Sequence, residues 1–131
     1  MVLDAAKGTG LKLYVSTSYA EGGNKEFDAG IKEYINTNSE ANTANGGNDT
    51  ISAVTAMGYD AYYVALEAMK AAGSVDPAAI KTALPTVKYT GVSGDIAFDD
   101  IGDAIRDTAY IKAADTENGA WVFETQQTVS K

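Results

Sequence analysis

Residues 58–84 read GYDAYYVALEAMKAAGSVDPAAIKTAL, and this run decides the fold class because it writes two helices and the step between them. Extended back through ISAVTAM at 51–57, the first helix carries apolar residues on two sides. Ile51, Val54, Met57, Ala61, Ala65 and Ala68 lie on one, and Tyr59, Tyr62, Tyr63, Leu66 and Met69 on the other. A helix apolar nearly all round is expected to be sandwiched in a core. Asp49 or Thr50 is placed to cap its start, and Gly73 its end. The tyrosines admit two readings, a stacking platform for a ligand or core packing, and helical spacing favours core packing. The second helix opens on Asp76 as cap and on Pro77, whose missing N–H is not needed at the first helical position. Ile80 and Leu84 should face the core, and Pro85 should end the helix.

Working outward, the chain turns to β after this pair. KYTGVSGDIAF, AIRDTAYIKA and AWVFETQQ each alternate or are rich in β-forming residues, separated by DDIGD and DTENG. Asn118-Gly119 is a hairpin signal, since both residue types accept positive φ. Upstream, Leu11 to Val15 reads as a strand that arrives with no partner before it, followed by the polar loop STSYAEGGN. Phe27, Ile31, Tyr34 and Ile35 then recur at helical spacing, with Asn24 as cap and an end expected near Asn36. Residues 37–49, rich in Asn and Gly, have little to bury and read as a flexible surface loop within one domain.

Five aspartates fall within residues 91–112, GVSGDIAFDDIGDAIRDTAYIK. Asp99, Asp100 and Asp103 should lie in a turn between strands, with Asp95 and Asp107 on strands and pointing to solvent. A calcium loop counted from Asp99 needs a bidentate Glu at its twelfth position, where this chain has Tyr110. The hairpin turn is the reading that remains.

Composition narrows the function classes. A chain of 131 residues, 45% apolar, is one ordinary domain with enough apolar material for a core. A net charge of −8 and a sequence pI near 4.3 repel nucleic acid and anionic lipid. With neither cysteine nor histidine there is no thiolate, no imidazole base and no N/S metal site. Acid/base work by paired carboxylates needs one of them desolvated, which an exposed turn does not provide. Ser16, Ser18, Ser52 and Ser93 show no Ser-Lys pattern, and the glycines at Gly8 to Gly10 and in EGGN lack the rest of a phosphate loop. Neither catalysis nor a cofactor is expected. Asn48-Asp49-Thr50 is a sequon that matters only in a eukaryotic secreted protein. No stretch is long and apolar enough to cross a bilayer. The start, MVLDAAKGTG, carries neither the basic region nor the apolar run of a signal peptide, leaving a cytoplasmic chain or one shortened upstream as the two expectations.

Two stretches, GYDAYYVALEAMKAAGSVDPAAIKTAL and GVSGDIAFDDIGD, together with LYVSTSYAEGGNKEFDAGIKEYI, resemble the carboxy-terminal portion of the leucine/isoleucine/valine-binding family, the substrate-binding proteins of bacterial ABC transporters. The shared pattern is a Tyr-Asp-Ala helix, an Asp-Pro helix start and a hairpin of the form G..G.I.FD..GD. The resemblance implies an α/β chain that is part of a two-lobed, Venus-flytrap fold of the type I periplasmic binding proteins, with helices packed on a sheet and a carboxy-terminal β-hairpin region. Residues 1–131 would then be a single carboxy-terminal piece, about the last third of such a protein.

The same resemblance implies a function: an extracellular or periplasmic, lipid-anchored component that binds an amino acid, branched-chain by family, and delivers it to a membrane permease. Ser18 and Tyr19 match the segment crossing beside the ligand cleft, and Val54 the place of an apolar residue against the ligand; the alternative is that the first two are plain loop residues and Val54 is core. Open sheet edges would favour a homodimer through edge pairing or segment exchange. A ligand-sensing module of a receptor or regulator on the same fold is the alternative function, and a small hydrolase is disfavoured by the absence of a base.

Overall fold

In a computed structural model, residues 2–128 are described. They form two compact units, one made of the amino-terminal residues through Ala20 together with Asp107 onward, the other of Glu21 to Arg106.

The first unit holds the short helix α1 (Val2–Ala6) and a three-stranded antiparallel sheet of order β1-β5-β6, from β1 (Tyr14–Thr17), β5 (Thr108–Asp115) and β6 (Ala120–Thr128). The strand expected at Leu11 to Val15 is shifted to Tyr14–Thr17. Its partner lies far downstream: Tyr14 pairs with Ala113 and Thr17 with Tyr110. β5 and β6 form a hairpin with a bulge between Ile111 and Lys112. Its turn is set by Asp115 rather than by an Asn-Gly pair with two positive φ angles. Asp115 accepts the Glu117 and Asn118 amides, its carbonyl accepts the Gly119 amide, and only Gly119 is left-handed. The Asn118 amide side chain and these N–H groups hold the Asp115 carboxyl below the usual carboxylate range.

The second unit is built around α4. Helix α2 (Lys25–Thr37) starts where Asn24 accepts the Phe27 amide at 3.0 Å, and it buries Phe27 and Ile35. Residues 37–49, read as a loop, contain a further helix, α3 (Ser39–Ala44). Asn38 ends α2 and caps α3 through the amides of Glu40 and Ala41. The asparagines that made this stretch look like loop spend their side chains on local backbone, Asn45 donating to the carbonyls of Asn48 and Thr50.

Helix α4 (Ala53–Ala72) begins at Ser52, not at Asp49 or Thr50, because Ser52 Oγ reaches the Thr55 amide. It ends at Gly73 with φ 59, a left-handed position that glycine adopts without steric penalty. The expected sandwich does not hold within the unit. Only Ala56, Asp60, Val64 and Ala68 are buried, while Val54, Met57, Tyr59 and Tyr62 are exposed.

Asp76 accepts the amides of Ala78 and Ala79 to open α5 (Pro77–Ala83), and a 3-10 turn at Leu84–Thr86 runs through Pro85. Ile80 and Leu84 do pack inward, against a core of Val64, Ala68, Val87 and Ile96. The β-rich stretch KYTGVSGDIAF is a hairpin of β2 (Tyr89–Gly91) and β3 (Gly94–Phe98), and β4 (Ala104–Ile105) adds to β3. The aspartates behave as turn residues: Asp99 accepts the amides of Ile101 and Asp103 in the β3–β4 turn, and Asp95 is exposed on β3. Asp107, also exposed, lies between β4 and β5 rather than on a strand.

Candidate functional site

Within the second unit, an open groove of about 340 Å³ runs between α2 and α4, lined by Asn24, Glu26, Phe27, Gly30, Ile31, Tyr59 and Val92. From its two lining rings, Phe27 and Tyr59, an aromatic ladder runs on to Tyr63 and Tyr89. Phe27 meets Tyr59 edge-on at 5.1 Å between ring centres, Tyr59 lies 4.9 Å from Tyr63, and Tyr63 stacks parallel to Tyr89 at 6.1 Å. The helical repeat that suggested core packing therefore produces an aromatic ladder with an exposed upper end, Tyr59 being 40% and Tyr62 63% exposed.

The phenol of Tyr59 donates to that of Tyr63 at 3.4 Å. This bond, then burial, pushes the Tyr59 phenol up to about 12. Burial, with the Asp60 carboxylate nearby, also raises Tyr89. The groove thus combines the rings of Phe27 and Tyr59 and the aliphatic Ile31 and Val92 with the polar residues Asn24 and Glu26. Such a surface can stack a ring or an apolar group, and it offers no nucleophile paired with a base. Among the described residues there is no group of three or more Asp or Glu side chains that could hold a metal ion.

Next to Tyr59 in α4 stands an acid that the sequence reading did not single out. Asp60, in the middle of α4, has no exposed surface. One of its carboxylate oxygens accepts the Val92 amide at 2.8 Å; the other accepts the Ser93 amide at 2.8 Å and the Ser93 hydroxyl. Arg106 also binds Ser93, Nη1 donating to its carbonyl at 2.9 Å and Nη2 to its hydroxyl at 3.0 Å. A buried carboxylate left without partners would be strongly unfavourable, and three donors meet that demand. The sequence did contain one signal for it: an aspartate set among the apolar residues of 54–69 has to find a partner or break the helix face.

Of the residues named from the sequence, Ser18 is half-buried just beyond β1 and Tyr19 is buried, both in the first unit. Val54 stands in the first turn of α4 in the second unit and is 71% exposed, so its side chain is not core.

A family model described as periplasmic binding protein matches residues 2–119. Among solved structures, the chain is similar to a leucine binding protein, LivK, from Thermotoga maritima MSB8. The identity is 28% and the TM-score 0.62, over 95% of this chain and 32% of that one. It is similar also to an ABC transporter solute binding protein from R. palustris, solved in complex with benzoate. There the identity is 16% and the TM-score 0.62, over 99% of this chain and 34% of that one, a likeness of fold. The chain spans about a third of the length of these solved chains. No curated protein matches it.

Proposed function

The chain belongs to the periplasmic binding protein family, and on that premise we propose that it forms part of the solute-binding component of an ABC transporter, with an amino acid of the branched-chain class as ligand. The observation that carries this reading is the family match over residues 2–119 combined with 28% identity to a leucine binding protein along 95% of the chain. In this reading the 131 residues are about one third of a two-lobed protein that works outside the cytoplasmic membrane, lipid-anchored, and hands its solute to a permease. Binding rather than catalysis is its task. No helix among the described residues is long and apolar enough to cross a membrane, which is compatible with a binding component that meets its permease at the surface.

Ser18, Tyr19 and Val54 are proposed to contribute to the ligand site. Val54, 71% exposed on α4, is accessible to an apolar side chain of a solute. Isothermal titration of the full-length protein carrying this chain with leucine, isoleucine, valine and benzoate tests the proposal. Saturable heat with an aliphatic amino acid is the expected result. Binding of benzoate with none of the three amino acids would overturn the amino-acid class while leaving a solute-binding role in place.

A further inference from the structure

We propose that Ser93 is a latch that fastens Arg106, the residue at which the chain leaves the second unit, to the buried carboxylate of Asp60. The two charged groups do not meet directly; both end on Ser93. Its hydroxyl donates to Asp60 and accepts from Arg106 Nη2, while its carbonyl takes Nη1 at 2.9 Å. A hydroxyl has one donor and can accept as well, so a single Ser Oγ joins anion and cation in sequence. The guanidinium supplies two bonds to one residue, Nη1 to its carbonyl and Nη2 to its hydroxyl, which fixes direction as well as distance.

The two halves of the latch differ in permanence. The Asp60 half is built into the fold, because the carboxylate is wholly buried and also holds the Val92 and Ser93 amides. Gly91 beside it has no room for a side chain, a Cβ there lying 2.3 Å from the Asp60 carboxyl carbon. The Arg106 half is only part-buried, and it follows a strand of two residues, Ala104–Ile105, too short to hold the chain by its own pairing. Arg106 is the last residue of the second unit, and at Asp107 the chain returns to the first. Opening the guanidinium clasp therefore releases the chain exit while the Asp60 anchor stays intact.

Trypsin reads this directly, since it must take the Arg106 side chain into its own pocket to cut the bond to Asp107. When local opening is fast relative to cleavage, the rate follows the open population. Two variants of the full-length protein carrying this chain, Ser93→Ala and Arg106→Lys, each remove part of the clasp and keep a tryptic site at position 106. The rate at the 106–107 bond is divided by that of the same bond in a peptide of residues 100–112 carrying the same residue at position 106. Cleavage after Lys25, also followed by an acid, is the internal reference. The expected result is a rise of roughly tenfold or more at position 106 in both variants, the factor for losing a charge-assisted hydrogen bond, with Lys25 unchanged. An unchanged rate at 106 in either variant overturns the latch, and so does a rise matched at Lys25 in both. Should Ser93→Ala loosen the whole unit, Arg106→Lys decides, because its substitution touches only the part-buried half.

Discussion

Asp60 and Ser93, thirty-three residues apart, share one carboxylate oxygen, which takes both the amide and the hydroxyl of the serine. Helix α4 and the β2–β3 turn are joined by this one side chain, and the strongest mutational effects are expected around it. Asp60→Ala should destabilise the chain by about 3 kcal/mol, because it strands buried donors and opens a cavity at once. Equilibrium urea unfolding measures this, and a loss below about 0.5 kcal/mol, the range of ordinary surface changes, would contradict the anchoring role.

Gly91 and Gly58 should respond in opposite directions to the same change. A Cβ at Gly91 would sit 2.3 Å from Asp60 Cγ, so Gly91→Ala must displace a buried carboxylate and is expected to lower stability by about 2 kcal/mol or more. Gly58 lies inside α4 with nothing within 4 Å of the corresponding point. There alanine should stabilise by roughly 0.5–1 kcal/mol, the helix-propensity difference. Thermal melts of the two variants side by side would show Tm values moving apart.

The start of α5 depends on one carboxylate, with Asp76 Oδ1 accepting the Ala78 amide at 3.0 Å and the Ala79 amide at 3.1 Å. Asp76→Ala is expected to lower stability by about 1 kcal/mol, and Asp76→Ser by much less, since serine also caps. Comparing their urea midpoints at constant slope separates a capping role from a bare charge effect.

Alkaline titration should show Tyr59 ionising late, as Tyr89 also should. The Tyr59 phenol is raised from 10.0 to about 12, chiefly by the bond to Tyr63 and then by burial. A folded-state value above the unfolded one means that the neutral phenol is favoured by folding. The associated stability is therefore fully present below pH 10 and is lost as pH rises through about 12. Tyr63→Phe removes the partner phenol and should bring Tyr59 back toward 10.0. Ultraviolet difference titration of wild type and variant gives the test, and coincident curves would count against the hydrogen bond as the cause.

Much of this chain could be read before its structure was known, wherever the deciding physics was local. Asn24 and Asp76 cap helices, Pro77 opens one and Gly73 closes one, because a cap is satisfied by amides two or three residues away. The aspartates after Phe98 are turn residues for the same reason. The family resemblance, too, was carried by these runs of neighbouring residues. Local reading failed where local chemistry had two outlets: the asparagines of 38–48 can make a loop or cap a short helix, and here they do the second.

Tertiary structure alone decided burial and long-range partners. The even spread of apolar residues around α4 could not show which face would be covered, and so Tyr59 and Tyr62 emerged as an exposed ladder rather than core. It could not show that β1 would pair with a strand beginning at Thr108. Nor could it show that Asp60 would find Ser93 and Arg106. The sequence by itself determined the helices α2, α4 and α5, the caps at Asn24, Gly73 and Asp76, and the absence of any histidine or cysteine chemistry, because these follow from residues and their nearest neighbours. Which side chains share a carboxylate, a groove or a core is settled only when segments far apart in the chain exclude water together, and that is a property of the folded arrangement.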